Sequence, residues 1–182
     1  MLTSIPLLIE GAIIVAGRFP SNEVSQWILR VLAGNNVHRL ALSPSFLAVS
    51  AIALAGGLLR YQCYRTLGRF FTLELAVHKG QNLVTEGPYG YVRHPSYTAW
   101  IVGTLGVGLM PLTHGSWLYE RNLAQTRKGR IVLALGAVWW MFGAIGLTSR
   151  IPTEERMLNR EFGEKWDAYT KRVPYRLIPY VF

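Results

Sequence analysis

IVLALGAVWWMFGAIGLTS, residues 131–149, decides the architecture of this chain: it contains no Asp, Glu, Lys or Arg. Two other runs share that property, residues 40–59 and 97–119. Each approaches or exceeds the roughly 17–25 apolar residues that a membrane-spanning helix needs. One such run is compatible with the buried helix of a soluble protein, but three in a chain of 182 residues point to a membrane. The composition agrees: 51% of residues are hydrophobic and only 16% are charged, against roughly 25% in a usual soluble domain. Residues 1–17 are apolar apart from Glu10, and no basic residue precedes them as in a signal peptide. They read as a short first membrane helix, or as an interfacial helix lying on the bilayer. The expected fold is therefore an all-α integral membrane protein with about four transmembrane helices, at 3–17, 40–59, 97–119 and 131–149.

The charges lie between these runs. The net charge is +9, and the basic residues are spread over loops and the C-terminal tail. Anionic lipid heads account for that spread better than nucleic acid does. Segments 60–96 and 150–182 together hold twelve Lys and Arg, and segments 18–39 and 120–130 hold seven. The first pair is expected on the cytosolic side, and an even number of spans puts both termini there. Cys63 is the single cysteine, which excludes an internal disulfide and a multi-cysteine metal site. The four histidines show no metal-ligand spacing. Gly56, Gly57, Gly103, Gly106, Gly108, Gly136, Gly143 and Gly146 read as close-packing positions between helices. Pro111 is expected to kink or end the third run early.

Two polar segments border the runs. The first, residues 83–97, is rich in turns and aromatic residues: Gly87-Pro88 and Gly90 mark bends. His94 precedes a proline and is biased to extended backbone, and Pro95 suits the first position of a helix. The free N–H groups at such a helix start suit an anion. Arg93 and His94 sit at that boundary, with Tyr89, Tyr91 and Tyr97 available to stack or hydrogen-bond. The alternative is a basic, aromatic interface loop with no ligand. The second segment follows Arg150. Thr153 with Glu154 and Glu155 reads as a capped helix start. Met157, Leu158, Phe162, Trp166 and Tyr169 then form an apolar stripe, interrupted at Gly163 and ended by Pro174: an amphipathic helix on the membrane face. Arg150 and Glu154 share a helical face, which by itself is an ordinary surface pair.

Here the chain resembles the isoprenylcysteine carboxyl methyltransferase family. The resemblance lies in Leu83-Val84-Thr85, Gly87, Tyr89 and Arg93-His94-Pro95-Ser96-Tyr97. It continues in Arg150, Glu154-Glu155, Phe162-Gly163, Tyr169 and Arg172-Val173-Pro174. The Arg-His-Pro element is shared with wider lipid and amine methyltransferases and related reductases; the tail ending in Arg-Val-Pro is the more discriminating part. The resemblance implies a single methyltransferase domain over 1–182, with membrane helices in 1–60 and a catalytic core in 61–182. It implies an endoplasmic reticulum enzyme, its active site facing the cytosol, that uses S-adenosyl-L-methionine to esterify the prenylcysteine carboxylate of CaaX-processed proteins. By the same match, Gln81, Asn82, Leu83, Val84, Tyr89, His94, Pro95, Ser96, Tyr97 and Glu154 contact the cofactor. Arg150 and Arg93 are the catalytic pair, and Arg150 faces the substrate carboxylate. Gln81 stands where the family commonly has histidine, and Glu74 stands near a position often held by an amide.

The chemistry asks little of acid–base groups. A terminal α-carboxyl has a pKa of about 3.3–3.7, so it is already a nucleophile at neutral pH. An amine-bearing lipid, the runner-up substrate class, must lose a proton, for which His94 or Glu155 is available. A scaffold without catalysis leaves the clustered Arg93, His94, Arg150 and Glu154 without a use.

Overall fold

The computed structural model describes residues 4–33, 42–68 and 83–181, and every regular element in them is helical. The helices are α1 (Ser4–Arg18), α2 (Glu23–Ile28), α3 (Pro44–Leu67), α4 (Pro95–Leu109), α5 (Trp117–Glu120), α6 (Arg127–Phe162) and α7 (Glu164–Arg172). The chain divides into two compact units, Met1–Ala53 with Leu105–Val138, and Leu54–Thr104 with Trp139–Phe182.

Two helices, α3 and α6, are long and apolar enough to cross a membrane. Their surfaces separate this reading from that of a soluble core. Leu54 and Leu58 on α3, and Val132, Leu135, Val138, Phe142 and Ile145 on α6, are exposed. No residue of the most apolar stretch of α6 is buried. A helix that stays apolar without protein cover needs lipid as its solvent. Among the described residues this is an all-helical protein, and its two long apolar helices mark it as an integral membrane protein.

The first expected span has the length read from the sequence, and the third is shorter. Helices α1 and α4 have 15 residues each, about 22 Å at 1.5 Å per residue, against a hydrocarbon core of about 30 Å. The run 97–119 breaks where Pro111 stands: α4 ends at Leu109 and a 3-10 turn occupies Met110–Leu112. The backbone N–H and hydroxyl of Thr113 both donate to the Met110 carbonyl and close that turn. Proline supplies no N–H to prolong the α-helical ladder.

In the first unit, Ile13 and Ala16 of α1 pack with Leu29, joined by Leu32 and Trp117. The Glu10 carboxylate accepts the Trp117 backbone N–H at 2.9 and 3.1 Å, so the acid in the apolar N-terminal run has a backbone partner. Gly106 lets α4 approach α3: a Cβ there would come 2.6 Å from the Ala53 nitrogen.

In the second unit α4 lies between α3 and α6. A Cβ on Gly56 would strike the Gly103 backbone, and one on Gly143 would strike the Trp100 ring. The Trp140 indole N–H donates to the Thr104 hydroxyl at 3.1 Å. Small residues and one interhelical hydrogen bond are the usual means of helix packing where lipid competes for apolar surface. A Cβ on Gly108, Gly136 or Gly146 would meet nothing within 4 Å, so these three have no such packing role.

The tail corrects a second expectation. Thr153 caps nothing, because α6 continues through Pro152 for 36 residues, about 54 Å in length. Proline costs the helix one internal bond. The continuation is held from outside: Ile151 is buried, and Glu154 and Glu155 bond to residues preceding and opening α4. The break comes at Gly163, whose φ of +51° suits glycine. Trp166, Tyr169 and Val173 then form a small core with Leu83, Leu158 and Phe162.

Candidate functional site

The two polar segments meet, and both lie in the second unit. The tail after α7 runs beside the start of α4. The Arg93 N–H donates to the Tyr175 carbonyl and the His94 N–H to the Arg176 carbonyl, each at 2.9 Å. The Arg93 guanidinium donates to the Pro174 carbonyl at 3.0 Å, and the Thr98 hydroxyl to the Leu177 carbonyl at 2.7 Å. Residues 174–177 thus form a strap over the 93–98 turn. The Tyr169 phenol ties α7 to the same loop by donating to the Tyr89 carbonyl at 2.8 Å. Burial pushes that phenol up to about 12, so it remains a donor at neutral pH.

Arg93 and His94 face the end of α6. Arg93 pairs with Glu155 at 3.0 Å. The His94 ring is buried between two carboxylates, with Nε2 3.4 Å from Glu155 and Nδ1 3.7 Å from Glu154. Its face stacks on Tyr97 at 5.5 Å and 15°. Arg176 adds two contacts to Glu155, at 3.1 and 3.2 Å. Burial raises the Glu155 carboxyl, but hydrogen bonds from His94 and Arg176 and the Arg93 charge outweigh it and hold the group below its ordinary value. Glu154 differs: its side chain is 31% exposed, and both its Tyr97 bond (2.8 Å) and its His94 contact fall on Oε2. Among the described residues, its Oε1 is left for a ligand.

Further groups complete the cluster. The Tyr89 phenol bonds to Cys63 of α3 and lies within reach of the Glu154 charge; burial pushes it above its ordinary range. Arg60 of α3 donates to the Ser96 carbonyl and hydroxyl, both at 3.2 Å. The charges of Arg150 and Arg60 both act at the Tyr97 hydroxyl. Arg150 is half-buried, one turn before Glu154 on α6.

The expected anion site at the α4 start is narrowed. Pro95 has no N–H, and the Tyr97 and Thr98 N–H groups both bond to the His94 carbonyl. Two carboxylates of the chain itself occupy the neighbourhood. The cluster therefore suits a cationic group at Glu154 more than an anion at the helix end.

Of the residues picked from sequence, Tyr89, His94, Tyr97, Glu154 and Arg150 come together around one spot. Arg93 is adjacent but engaged by Glu155 and the strap. Pro95 is fully buried, Ser96 is held by Arg60, and Leu83 packs in the Trp166 core. Val84 is half-buried beside that core residue in sequence. Gln81, Asn82 and Glu74 lie outside the described residues. Sequence reading missed Arg60 and Arg176 and gave Glu155 a lesser part. A signal for Arg60 was present: it is the charge that ends the run 40–59.

A family model described as the isoprenylcysteine carboxyl methyltransferase family matches residues 48–120. That match contains the 83–97 segment and stops before Arg150. Among curated proteins, protein-S-isoprenylcysteine O-methyltransferase B of Arabidopsis thaliana is 32% identical over 123 residues, covering 66% of this chain and 53% of the relative. The protein-S-isoprenylcysteine O-methyltransferase of Schizosaccharomyces pombe is 34% identical over 97 residues, 53% of this chain and 33% of its own. A delta(14)-sterol reductase of Mus musculus is 33% identical over 103 residues, 57% of this chain and 20% of the reductase. The chain thus spans about half the length of the first relative and less of the other two. No solved structure matches it.

Proposed function

This chain belongs to the isoprenylcysteine carboxyl methyltransferase family, and we propose from that membership that it methylates the C-terminal α-carboxylate of prenylated cysteine, with S-adenosylmethionine as donor. One observation carries the reading to the site: Glu154, a partly open carboxylate braced by Tyr97 and His94, stands one helical turn from Arg150.

The residues fit such a donor. A carboxylate with an oxygen to spare suits the ammonium and sulfonium charges, and Tyr89 and Tyr97 offer aromatic surface beside it. When bound, S-adenosylmethionine supplies an electrophilic methyl group. Glu154 holds the cationic ligand, and Tyr97 and His94 fix the Glu154 rotamer. Arg150 pairs with the substrate carboxylate, a charge-assisted contact that aims its oxygen. No residue need take a proton, because the carboxylate is ionised at neutral pH. Orientation of this kind contributes on the order of 7–11 kcal/mol to lowering a barrier. Arg93 fixes the loop through Glu155 and the strap, and Val84 extends the donor wall.

The amine-lipid alternative is disfavoured by the same geometry. It needs a proton acceptor, yet His94 is buried with each ring nitrogen facing a carboxylate, and Glu155 is surrounded by Arg93, Arg176 and His94.

The same reading embeds α1 and α4 beside α3 and α6 as four membrane segments, with 60–96 and 150–182 on the cytosolic face of the endoplasmic reticulum. The excess of basic residues in those two segments supports the orientation, and their meeting in one cluster requires them to share a side. A prenyl chain entering from the bilayer would then reach Arg150 without leaving lipid.

The test is methyl transfer by the purified protein in lipid, with N-acetyl-S-farnesylcysteine as acceptor. We expect a base-labile methyl ester; labelling of phosphatidylethanolamine in its place overturns the reading. Arg150→Ala is expected to lower turnover about 10²–10³-fold, as loss of one charge-stabilising donor does, while donor binding is kept. Unchanged turnover would remove Arg150 from the site.

A further inference from the structure

Glu154 and Glu155 are neighbours in sequence with opposite surroundings. Glu155 is 12% exposed and receives Arg93 and His94 on Oε1 and Arg176 on Oε2. It cannot accept a ligand cation without releasing an arginine. Glu154 is 31% exposed and is touched on one oxygen. The His94 imidazole connects the two, Nε2 toward Glu155 and Nδ1 toward Glu154, with Tyr97 flat against its face. A ring held from three directions has one orientation. The same Glu155 oxygen that takes Arg176 ties down the strap, whose carbonyls take the Arg93 and His94 N–H groups.

Resting on the donor-binding reading of Glu154, we propose that Glu155 is a positioning residue. It keeps His94 turned so that Glu154 stays open to the methyl donor, and it couples the C-terminal segment 174–177 to donor affinity. The physical reason is competition. Arg93 and Arg176 place their positive charge on a single carboxylate, and His94 meets the same group through Nε2. Without it, Arg93 loses its carboxylate partner, and His94 keeps the Glu154 carboxylate 3.7 Å from Nδ1. A cation already paired with Glu154 excludes the cationic ligand, and a His94 ring freed on one side no longer braces the rotamer.

The test uses the full chain in lipid nanodiscs, with calorimetric binding of S-adenosylmethionine and steady-state methyl transfer. Glu155→Gln keeps the shape and removes the charge. We expect its donor Kd and KM to rise about tenfold, the size of a lost charge-assisted bond, with turnover at saturating donor changed less than about threefold in the same assay. Glu155→Asp restores the charge and is expected to recover part of the affinity. A merely structural residue behaves differently: its loss lowers the folded, binding-competent fraction and leaves the Kd of that fraction unchanged. If Glu155→Gln does not fold, Arg176→Gln replaces it. Its side chain is 37% exposed, and its loss leaves Arg93 and His94 on Glu155. The coupling predicts a Kd about threefold weaker there, the scale of a partly exposed ion pair. Wild-type affinity in Glu155→Gln, or in Arg176→Gln where the first does not fold, overturns the inference and leaves the proposed function standing. A wild-type protein that binds no S-adenosylmethionine overturns the function itself.

Discussion

Helix α6 runs unbroken from Arg127 to Phe162, yet its two portions are stabilised by different means. Residues 131–149 carry no charge, none of the most apolar stretch is fully buried although Trp140 and Gly143 touch α4, and Phe142 is 79% exposed. Residues 150–162 are charged, and their acids bind the 93–97 turn at specific atoms. The apolar portion depends on its solvent: any large apolar side chain serves on the lipid face, and the cost of error is a charge in hydrocarbon. The polar portion depends on partners, so one wrong atom matters. A site assembled at the boundary draws on both, a rigid helix supplied by the membrane and side chains aimed by pairing.

Truncating equal aromatic bulk in the two environments separates them most sharply. Trp166 is 5% exposed in the core that seats the strap. Trp166→Ala is expected to cost about 3–5 kcal/mol, read as a lowered midpoint in thermal or denaturant melts in detergent. Phe142→Ala removes a ring that touches lipid, and its midpoint is expected to stay within about 0.5 kcal/mol of wild type. Similar losses for both would mean that the apolar portion is covered by protein after all.

A charge reverses the ranking. Phe142→Asp places an acid in the apolar stretch, for which insertion costs about 2.5–3.5 kcal/mol at a helix centre. The inserted fraction in microsomes is expected to fall. The same change at exposed Lys165 on α7 should leave insertion untouched. Normal insertion of Phe142→Asp would break the assignment of residues 131–149 to lipid.

The sequence announced α3 and α6 clearly, because absence of charge over twenty residues is a one-dimensional signal. It was nearly as clear about the 83–97 segment, the break at Gly163 and the end of the last helix before Pro174. It misled at Thr153, where a good local cap signal lost to the tertiary bonds of Glu154 and Glu155, and at the α4 start. There the free N–H groups expected at a helix end were reduced in number by Pro95 and by the His94 carbonyl. The division of labour between two adjacent acids was not legible at all. It depends on Arg176, twenty-one residues further along, and on which oxygen faces which cation.

That division gives the smallest and most local effect. Glu155 is held below its ordinary value of 4.5 in the folded protein. A carboxyl lowered on folding contributes stability that is present above its unfolded pKa and is lost as pH falls through its folded one. The groups that face it are Arg93 and His94 from the turn and Arg176 from the strap. Below pH 4.5, protonation of Glu155 removes the acid on which they converge, and the strap loses its charged tie from Arg176 to α6. The Arg93 and His94 amides donate to Tyr175 and Arg176, so they report the strap directly. Corrected for intrinsic rate, their hydrogen exchange is expected to speed up as pH falls below that range. Amides in the apolar portion of α6, with no titrating group beside them, should not change. In Glu155→Gln the two amides should exchange faster already at neutral pH and lose the acid-dependent step. A step that persists in that variant would assign it to another carboxyl and break the link between Glu155 and the strap.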